Sequence, residues 1–383
     1  MDTYFPYSQY VTGRNFVGRR SDVTLLGNLL TQGEHVVLSE PPKTGKTSLV
    51  QQALYALRVK NVTFSVGQFS ALNIRTREAF LLRLGSTLLR MAGSTPAEYA
   101  DLAQRYLEGT HFVFDPVAYE ADGSILSLSW ELEEADVTAL MNLPFRMAQE
   151  RGDRLILIID EFHCLSMLED PDSVLRPLSN SLKENRENRR FSYIFCGSGV
   201  NAMHEIFHGS LLFNRLVERV KLSPVDELEM SDYILRGFTS AGKVVEKELL
   251  QGACRLFRGH LWYINHFASI CDGMTRGYLM EPGLVDALGC LISVHEPRFA
   301  DIVGNLTTHQ VNLLRATVDG VSRFSSADVI RRYGLNSSAN VKRVKDALMK
   351  KEVLLFDEDD KPVIIDPLFE YWLRKYYFEI KDA

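Results

Sequence analysis

The feature that most constrains this chain is a change of pattern between residues 35 and 57. HVVLS, from His35 to Ser39, is a short continuous apolar run of the kind shown by a strand buried on both faces. EPPKTGKTS follows at once, and LVQQALYAL then carries its apolar residues at helical spacing. A strand, a tight loop holding Gly45 and a helix therefore arrive in that order. Such a junction aims backbone N–H groups and the positive end of a helix at one point, which suits an anion.

The neighbouring segments extend this into strand and helix alternation. Upstream, VTGRNFVGRRSDVTLLGNLLTQG reads as a loop and a helix, with Ser21 and Asp22 placed to cap it and Val23, Leu25, Leu26, Leu29 and Leu30 on one face. Val62 to Phe69 reads as a strand and Thr76 to Met91 as a helix. A further helix is expected from about Glu131 to Arg151, interrupted near Pro144, before the buried strands RLILIID and FSYIFCGSG (Phe191 to Gly199). This is the pattern of a parallel α/β sheet. Residues 93–134 fit it poorly: FVFDPVAY and ILSLSW flank Ala121-Asp122-Gly123 like a hairpin in an accessory insertion. After Val220 to Asp226 the strand signals cease and helices are expected to about residue 298. From Leu306 the order is two helices, a serine-rich turn, a helix and two short strands around Glu358-Asp359-Asp360, the order of a winged helix-turn-helix.

With 46% hydrophobic and 24% charged residues over 383 positions, the chain can bury more than one core. A net charge of -6 argues against a protein that coats nucleic acid with its whole surface, so any such contact must be local. MDTYFPYSQYVTGRN lacks the basic head and apolar run of a secretory signal, and no apolar stretch has membrane-spanning length; a cytoplasmic location with no membrane partner is expected. Cys164, Cys196, Cys254, Cys271 and Cys290 are widely spaced and never form CxxC, which points to reduced, mostly buried thiols.

The loop SEPPKTGKTS supplies most of what phosphate binding needs. Gly45 lets the backbone approach, Lys46 can reach the β and γ phosphates and Thr47 can ligate Mg²⁺. Glu40 stands where the GxxxxGK[ST] pattern has glycine. A carboxylate beside a triphosphate is repulsive unless it points away, and glycine adopts backbone angles that other residues resist. In LILIIDEF, Asp160 leaves the carboxyl end of a buried strand, placed to hold Mg²⁺, and Glu161 is placed to polarise an attacking water. Ser198 ends the next strand as a polar group for the γ phosphate, and Arg215 and Arg219, on the expected helical stretch beyond, offer charge to a transferring phosphoryl group.

FVGR (Phe16 to Arg19), PPKTGKTSL, IIDEF, CGSG, GSLLFNR, GHLWYI and IDPLFEYWL, in that order over nearly the whole chain, resemble the archaeal-type ATPase family of the AAA+/STAND P-loop NTPases. The resemblance implies a P-loop α/β core over 1–225, a helical lid over 226–298 and a winged helix domain over 299–383. It implies ATP or ADP with Mg²⁺ as cofactor. Phe16 and Val17 are implied on the adenine side, and His260, with Gly259 and Trp262, in the lid near the nucleotide. The loop residues Pro42, Lys43, Thr44, Gly45, Lys46, Thr47 and Ser48 are implied on the phosphates, with Thr47 and Asp160 on the metal. Glu161, Lys46, Ser198 and Arg215 are the implied catalytic and sensing set. Glu40 departs from the family pattern.

RRYGLNSSANVKRVKDALMKK has seven basic residues against Asp346, so DNA contact is expected to be local, through Lys342 and Arg343 with Asn340 beside them. Capping by Ser337 or Ser338 would turn Val341, Val344 and Leu348 inward. The leading expectation is an ATP-driven switch that hydrolyses ATP and signals through the winged helix to a protein partner or a second copy. The alternative is a non-hydrolysing, nucleotide-bound DNA regulator, and a third reading is an interaction scaffold with an empty site.

Overall fold

The computed structural model describes residues 4–357 and 359–380, so Glu358 in the expected turn lies outside the described residues. These residues form two compact units. One comprises Ser21–Glu40 and Ala53–Lys221; the other comprises the described parts of Met1–Arg20 and Leu222–Ala383 together with Pro41–Gln52.

The first unit is built on a parallel sheet. Its strands are β1 (Val36–Ser39), β2 (Phe64–Ser70), β5 (Arg154–Asp160), β6 (Phe191–Gly197) and β7 (Glu218–Arg219), with β3 (Phe112–Phe114) and β4 (Leu126–Leu128) pairing apart from them. The order across the sheet is β2-β5-β6-β1-β7, and every pairing is parallel. Leu155 to Ile159 are all buried, so both faces of this strand are covered, which is why the segment reads as a continuous apolar run. Ser70 pairs with Asp160, and Ser39 with Gly197, so the polar strand ends gather along one edge.

The packing explains several differences from the sequence reading. The helix Arg20–Gln32 starts one residue early, so Ser21 and Asp22 lie inside its first turn instead of capping it. The helix Glu134–Arg151 runs unbroken through Pro144. Proline removes an amide donor, but Leu140, Leu143, Phe145, Met147 and Ala148 around it are buried, and that burial outweighs the lost hydrogen bond. β3 and β4 do pair antiparallel, yet their connection is a helix, Pro116–Asp122, capped by the Asp115 carboxylate, and Gly123 is the left-handed residue that ends it. A capped helix, Pro96–Leu107, precedes them.

The second unit has its own apolar core, from Phe5 and Val17 through Phe238, Phe267 and Phe299 to Trp372. The helices Glu227–Ser240, Lys247–Leu256, Leu261–Met274 and Glu281–Gly304 lead into it. Strands do not cease there altogether: β8 (Val244–Val245) and β9 (Tyr278–Leu279) form a two-residue parallel pair, too short for any periodicity to announce. The helices Thr308–Val318, Ala327–Tyr333 and Ser338–Lys350 then precede the antiparallel pair β10 (Leu354–Phe356) and β11 (Pro362–Ile364). The closing helix Pro367–Trp372 buries Leu368, Phe369 and Trp372 as core. Four of the five cysteines are buried and all five are free thiols. Among the described residues no helix is long and apolar enough to cross a membrane.

Phe195 on β6 is fully buried, with ring centroids of Phe162, Tyr193 and Phe207 at 4.7, 5.1 and 5.4 Å. Phe195→Ala should therefore destabilise the protein by about 3–5 kcal/mol. Denaturant unfolding of the two proteins measures this, and a loss below about 1 kcal/mol would mean the cluster is not tightly packed.

Candidate functional site

The loop after β1 is held by its own backbone and by residues that precede and follow it. Glu40 has ordinary backbone: it is absent from the residues of positive φ, and its N–H donates to Gly197 O at 3.4 Å, continuing the β1–β6 ladder by one residue. Position 40 thus remains part of the sheet edge, and the left-handed angle falls instead at Lys43, φ 62°. Gly45 sits at φ 105°, an angle only glycine holds without strain. The helix Lys46–Val59 begins at the next residue.

Lys46, only 8% exposed, donates from Nζ to Pro41 O at 2.9 Å, and Thr44 Oγ1 donates to the same carbonyl at 2.8 Å. The lysine therefore folds back over the loop, where an ammonium meets partial negative charge. Arg19, the last residue of FVGR, braces the loop: its Nη1 donates to Thr44 O at 2.7 Å and its Nε to Ser223 O at 2.8 Å. Thr47 is exposed, and Ser48 Oγ accepts from Val11 N–H at 3.1 Å. Phe16 is half-buried, whereas Val17 is buried in the apolar core with Val225.

His260 and Trp262 meet the start of the loop. His260 precedes the helix Leu261–Met274, and its Nε2 lies 3.2 Å from Pro42 O. Burial lowers the His260 pKa against the pull of the Asp366 carboxylate, and because the Pro42 carbonyl can only accept, Nε2–H is the donor. Lys43 Nζ stands 3.5 Å above the Trp262 ring centroid, a cation–π contact. Burial first, and then Arg298, lower the pKa of that lysine, while Asp366 opposes them. A cavity of about 170 Å³ lies beside these groups, lined by Lys43, His260, Trp262, Arg298, Lys351 and Asp366 among others. On its wall Asp366 accepts from Tyr263 Oη at 2.8 Å and from Arg298 Nη2 at 2.6 Å while capping the closing helix.

At the edge of the sheet, Asp160 ends β5 and its Oδ1 accepts from Glu161 N–H at 2.9 Å. Glu161 adopts left-handed backbone, φ 50°, and its Oε2 accepts from Ser198 N–H at 3.2 Å and from Ser198 Oγ at 2.6 Å. His163 Nδ1 lies 3.2 Å from the same oxygen. Arg215 and Arg219 are not on a helix: Arg215 occupies a left-handed turn, φ 58°, and Arg219 lies on the edge strand β7, both exposed. The chain must turn there to bring β7 alongside β1, which a helix would prevent. Among the described residues no group of three or more His, Cys, Asp or Glu is placed to cage a metal.

Arg19 and His163 escaped the sequence reading, although each had a signal. Arg19 closes FVGR, and His163 follows the Asp160–Glu161 pair by two residues. In the C-terminal region, Ser337 Oγ accepts from Asn340 N–H at 3.2 Å and caps the basic helix, with Val341, Val344 and Leu348 buried. Lys342 and Arg343 are exposed as expected, but Asn340 is not free: its amide donates to Leu335 O at 3.0 Å.

The family described as "Probable winged helix domain" matches residues 297–375. No curated protein matches the sequence. Among solved structures, a Walker-type ATPase of Pyrococcus abyssi is similar over 97% of this chain and 100% of its own, with TM-score 0.65 and 16% identity. The ORC2 protein of Aeropyrum pernix, in ADPNP-ADP complexes, is similar over 95% and 93%, with TM-score 0.58 and 14% identity. Its ADP form gives 96% and 95%, TM-score 0.56 and 14% identity. The chain therefore has the fold of these archaeal proteins, a parallel-sheet α/β core with helical elements and a C-terminal winged helix domain.

Proposed function

We propose that this protein binds ATP with Mg²⁺ and hydrolyses it, acting as a nucleotide-driven switch whose output is the winged helix domain. The observation that carries the reading is the strand-end chemistry: β1, whose neighbour β6 leads directly into Ser198, runs straight into the Gly45-Lys46-Thr47 loop, and β5 ends in Asp160-Glu161. The loop amides and Lys46 would cradle the phosphates. Thr47 and Asp160 would hold the metal, and Glu161 would take a proton from the attacking water. Bound Mg²⁺ would neutralise charge on the β and γ phosphates. Arg215, on its exposed turn, would offer positive charge to the transferring group, from its own chain or to a second copy. The ordinary backbone of Glu40 supports binding despite the missing glycine, because that position asks for no left-handed angle.

The contacts of the loop support a switch. Pro42 and Lys43 touch His260 and Trp262, and the neighbouring Tyr263 is bonded to Asp366 at the start of the closing helix. A phosphate that rearranges the loop would have to remake those contacts. On this reading the core and its insertion, the lid and the winged helix correspond to about 1–225, 226–298 and 299–383.

The exposed Lys342 and Arg343 support a second role, phosphate contact with DNA, and with it the alternative of a regulator that binds nucleotide without turnover. Such a regulator would bind duplex tightly and salt-dependently with no ATPase activity, whereas the switch turns over.

Titration calorimetry should show Mg·ATP binding to the parent and a loss of at least about tenfold in Lys46→Ala, the order expected when a charged hydrogen-bond partner is removed. No binding by the parent would contradict the nucleotide reading. Glu161→Gln should still bind ATP while its turnover falls roughly a hundredfold to ten-thousandfold, the range for a lost general base. If Lys342 and Arg343 contact phosphates, replacing both by alanine should weaken duplex DNA binding and lower its salt slope by about 2, since each contact contributes about 1. An unchanged slope would remove DNA from the account.

A further inference from the structure

The cavity of about 170 Å³ beside the loop has a mixed wall, and every residue of that wall belongs to the second unit. Trp262, Tyr263 and Phe369 give it aromatic faces, and Ile302 and Val353 give it aliphatic ones. Three cations, Lys43, Arg298 and Lys351, stand against two carboxylates, Asp366 and Glu352. Asp366 already accepts from Tyr263 Oη, from Arg298 Nη2 and from the N–H groups of Leu368 and Phe369, and four donors fill a carboxylate. Arg298 is neutralised by that carboxylate, and Lys351 Nζ donates to Asn305 O at 2.8 Å. Lys43 is different. Its ammonium rests 3.5 Å from the Trp262 ring centroid, and no described residue gives it a hydrogen-bond acceptor.

We propose that this cavity binds a small aromatic carboxylate, with its ring against the apolar wall and its oxygens on Lys43 Nζ. An apolar cavity of about 150 Å³ holds one benzene, so this volume admits a single ring with a short acid group. Aromatic walls offer such a ring offset and edge contacts. The sign of the charge follows from what is open: an anion gains Lys43, whereas a cation would find Asp366 spent and Lys43 repelling it. Burial and then Arg298 disfavour the charge on Lys43, and a carboxylate beside it would offset that cost. The wall takes in Pro41, Pro42 and Lys43 but not Gly45, Lys46 or Thr47, so the site adjoins the residues proposed to cradle phosphate without including them. It would take its ligand whether or not nucleotide binds. Because Lys43 belongs to the loop and Phe369 to the closing helix, an occupant touches both.

Calorimetry with benzoate, benzyl alcohol and acetate on the full chain, Lys43→Met and Ile302→Trp tests the site. The parent should bind benzoate with a Kd below about 1 mM, well within what a ligand of this size can supply. Benzyl alcohol has the ring without the charge and acetate the charge without the ring; each should bind at least about tenfold more weakly, the order of one charged hydrogen bond. Lys43→Met keeps the stem and removes the charge, so it should weaken benzoate about tenfold and leave benzyl alcohol unchanged. Ile302→Trp should fill the cavity and abolish both, with thermal unfolding to show that the variant is folded; if it is not, Lys43→Met decides. The proposal is overturned if the parent does not bind benzoate, if benzyl alcohol or acetate binds as well, or if benzoate still binds fully to Lys43→Met or to folded Ile302→Trp. Mg·ATP and benzoate should bind together, and strict competition between them would place the anion on the phosphate loop and remove the separate site. If the parent binds no nucleotide, the nucleotide reading fails and the benzoate titrations decide this site on their own.

Discussion

The parallel pairing of β1 with β6, Ser39 against Gly197, is the constraint on which the candidate site depends. It fixes where the chain leaves the sheet before the Gly45 loop, and it places Ser198 one residue beyond the same edge. Because β6 also pairs with β5, the residues that follow Ile159 end along that edge, bringing Glu161 within hydrogen-bonding reach of Ser198. The same ladder explains how Glu40 is accommodated, since its amide is spent on Gly197 O and the special backbone angles fall later, at Lys43 and Gly45.

A second set of contacts centres on Asp366. Its carboxylate caps the closing helix and takes hydrogen bonds from Tyr263 and Arg298, which belong to two different helices. Beside it, His295 is depressed to about 4, chiefly by burial and then by Arg298, so the neighbourhood holds uncharged imidazoles beside the cations Lys43 and Arg298. Neutral rings add no further positive charge against the lysine over the Trp262 face. A loop lysine and the residues that anchor the winged helix thus share one electrostatic environment.

Much of this was legible in the sequence because burial and period leave marks on it. RLILIID and FSYIFCG announced central strands, and the GKT loop after HVVLS announced the turn from strand into helix. The cap at Ser337 and the inward Val341, Val344 and Leu348 were legible for the same reason. What could not be read was decided by long-range packing. Pro144 predicts a break that the buried faces of its helix override, and β8 and β9 exist through pairing alone. Arg215 and Arg219 looked helical because nothing in their own segment reveals that β7 must lie against β1. His163 carried no weight beside Glu161 until folding brought Ser198 and Gly199 to it.

Hydrogen exchange of the backbone amides, with and without Mg·ATP, tests most directly whether the loop and the strand ends serve one nucleotide. The account predicts slower exchange at Gly45, Lys46 and Thr47 together with a change at Ser198, whose amide and hydroxyl bind Glu161. Protection confined to the loop, or absent from both segments, would contradict it.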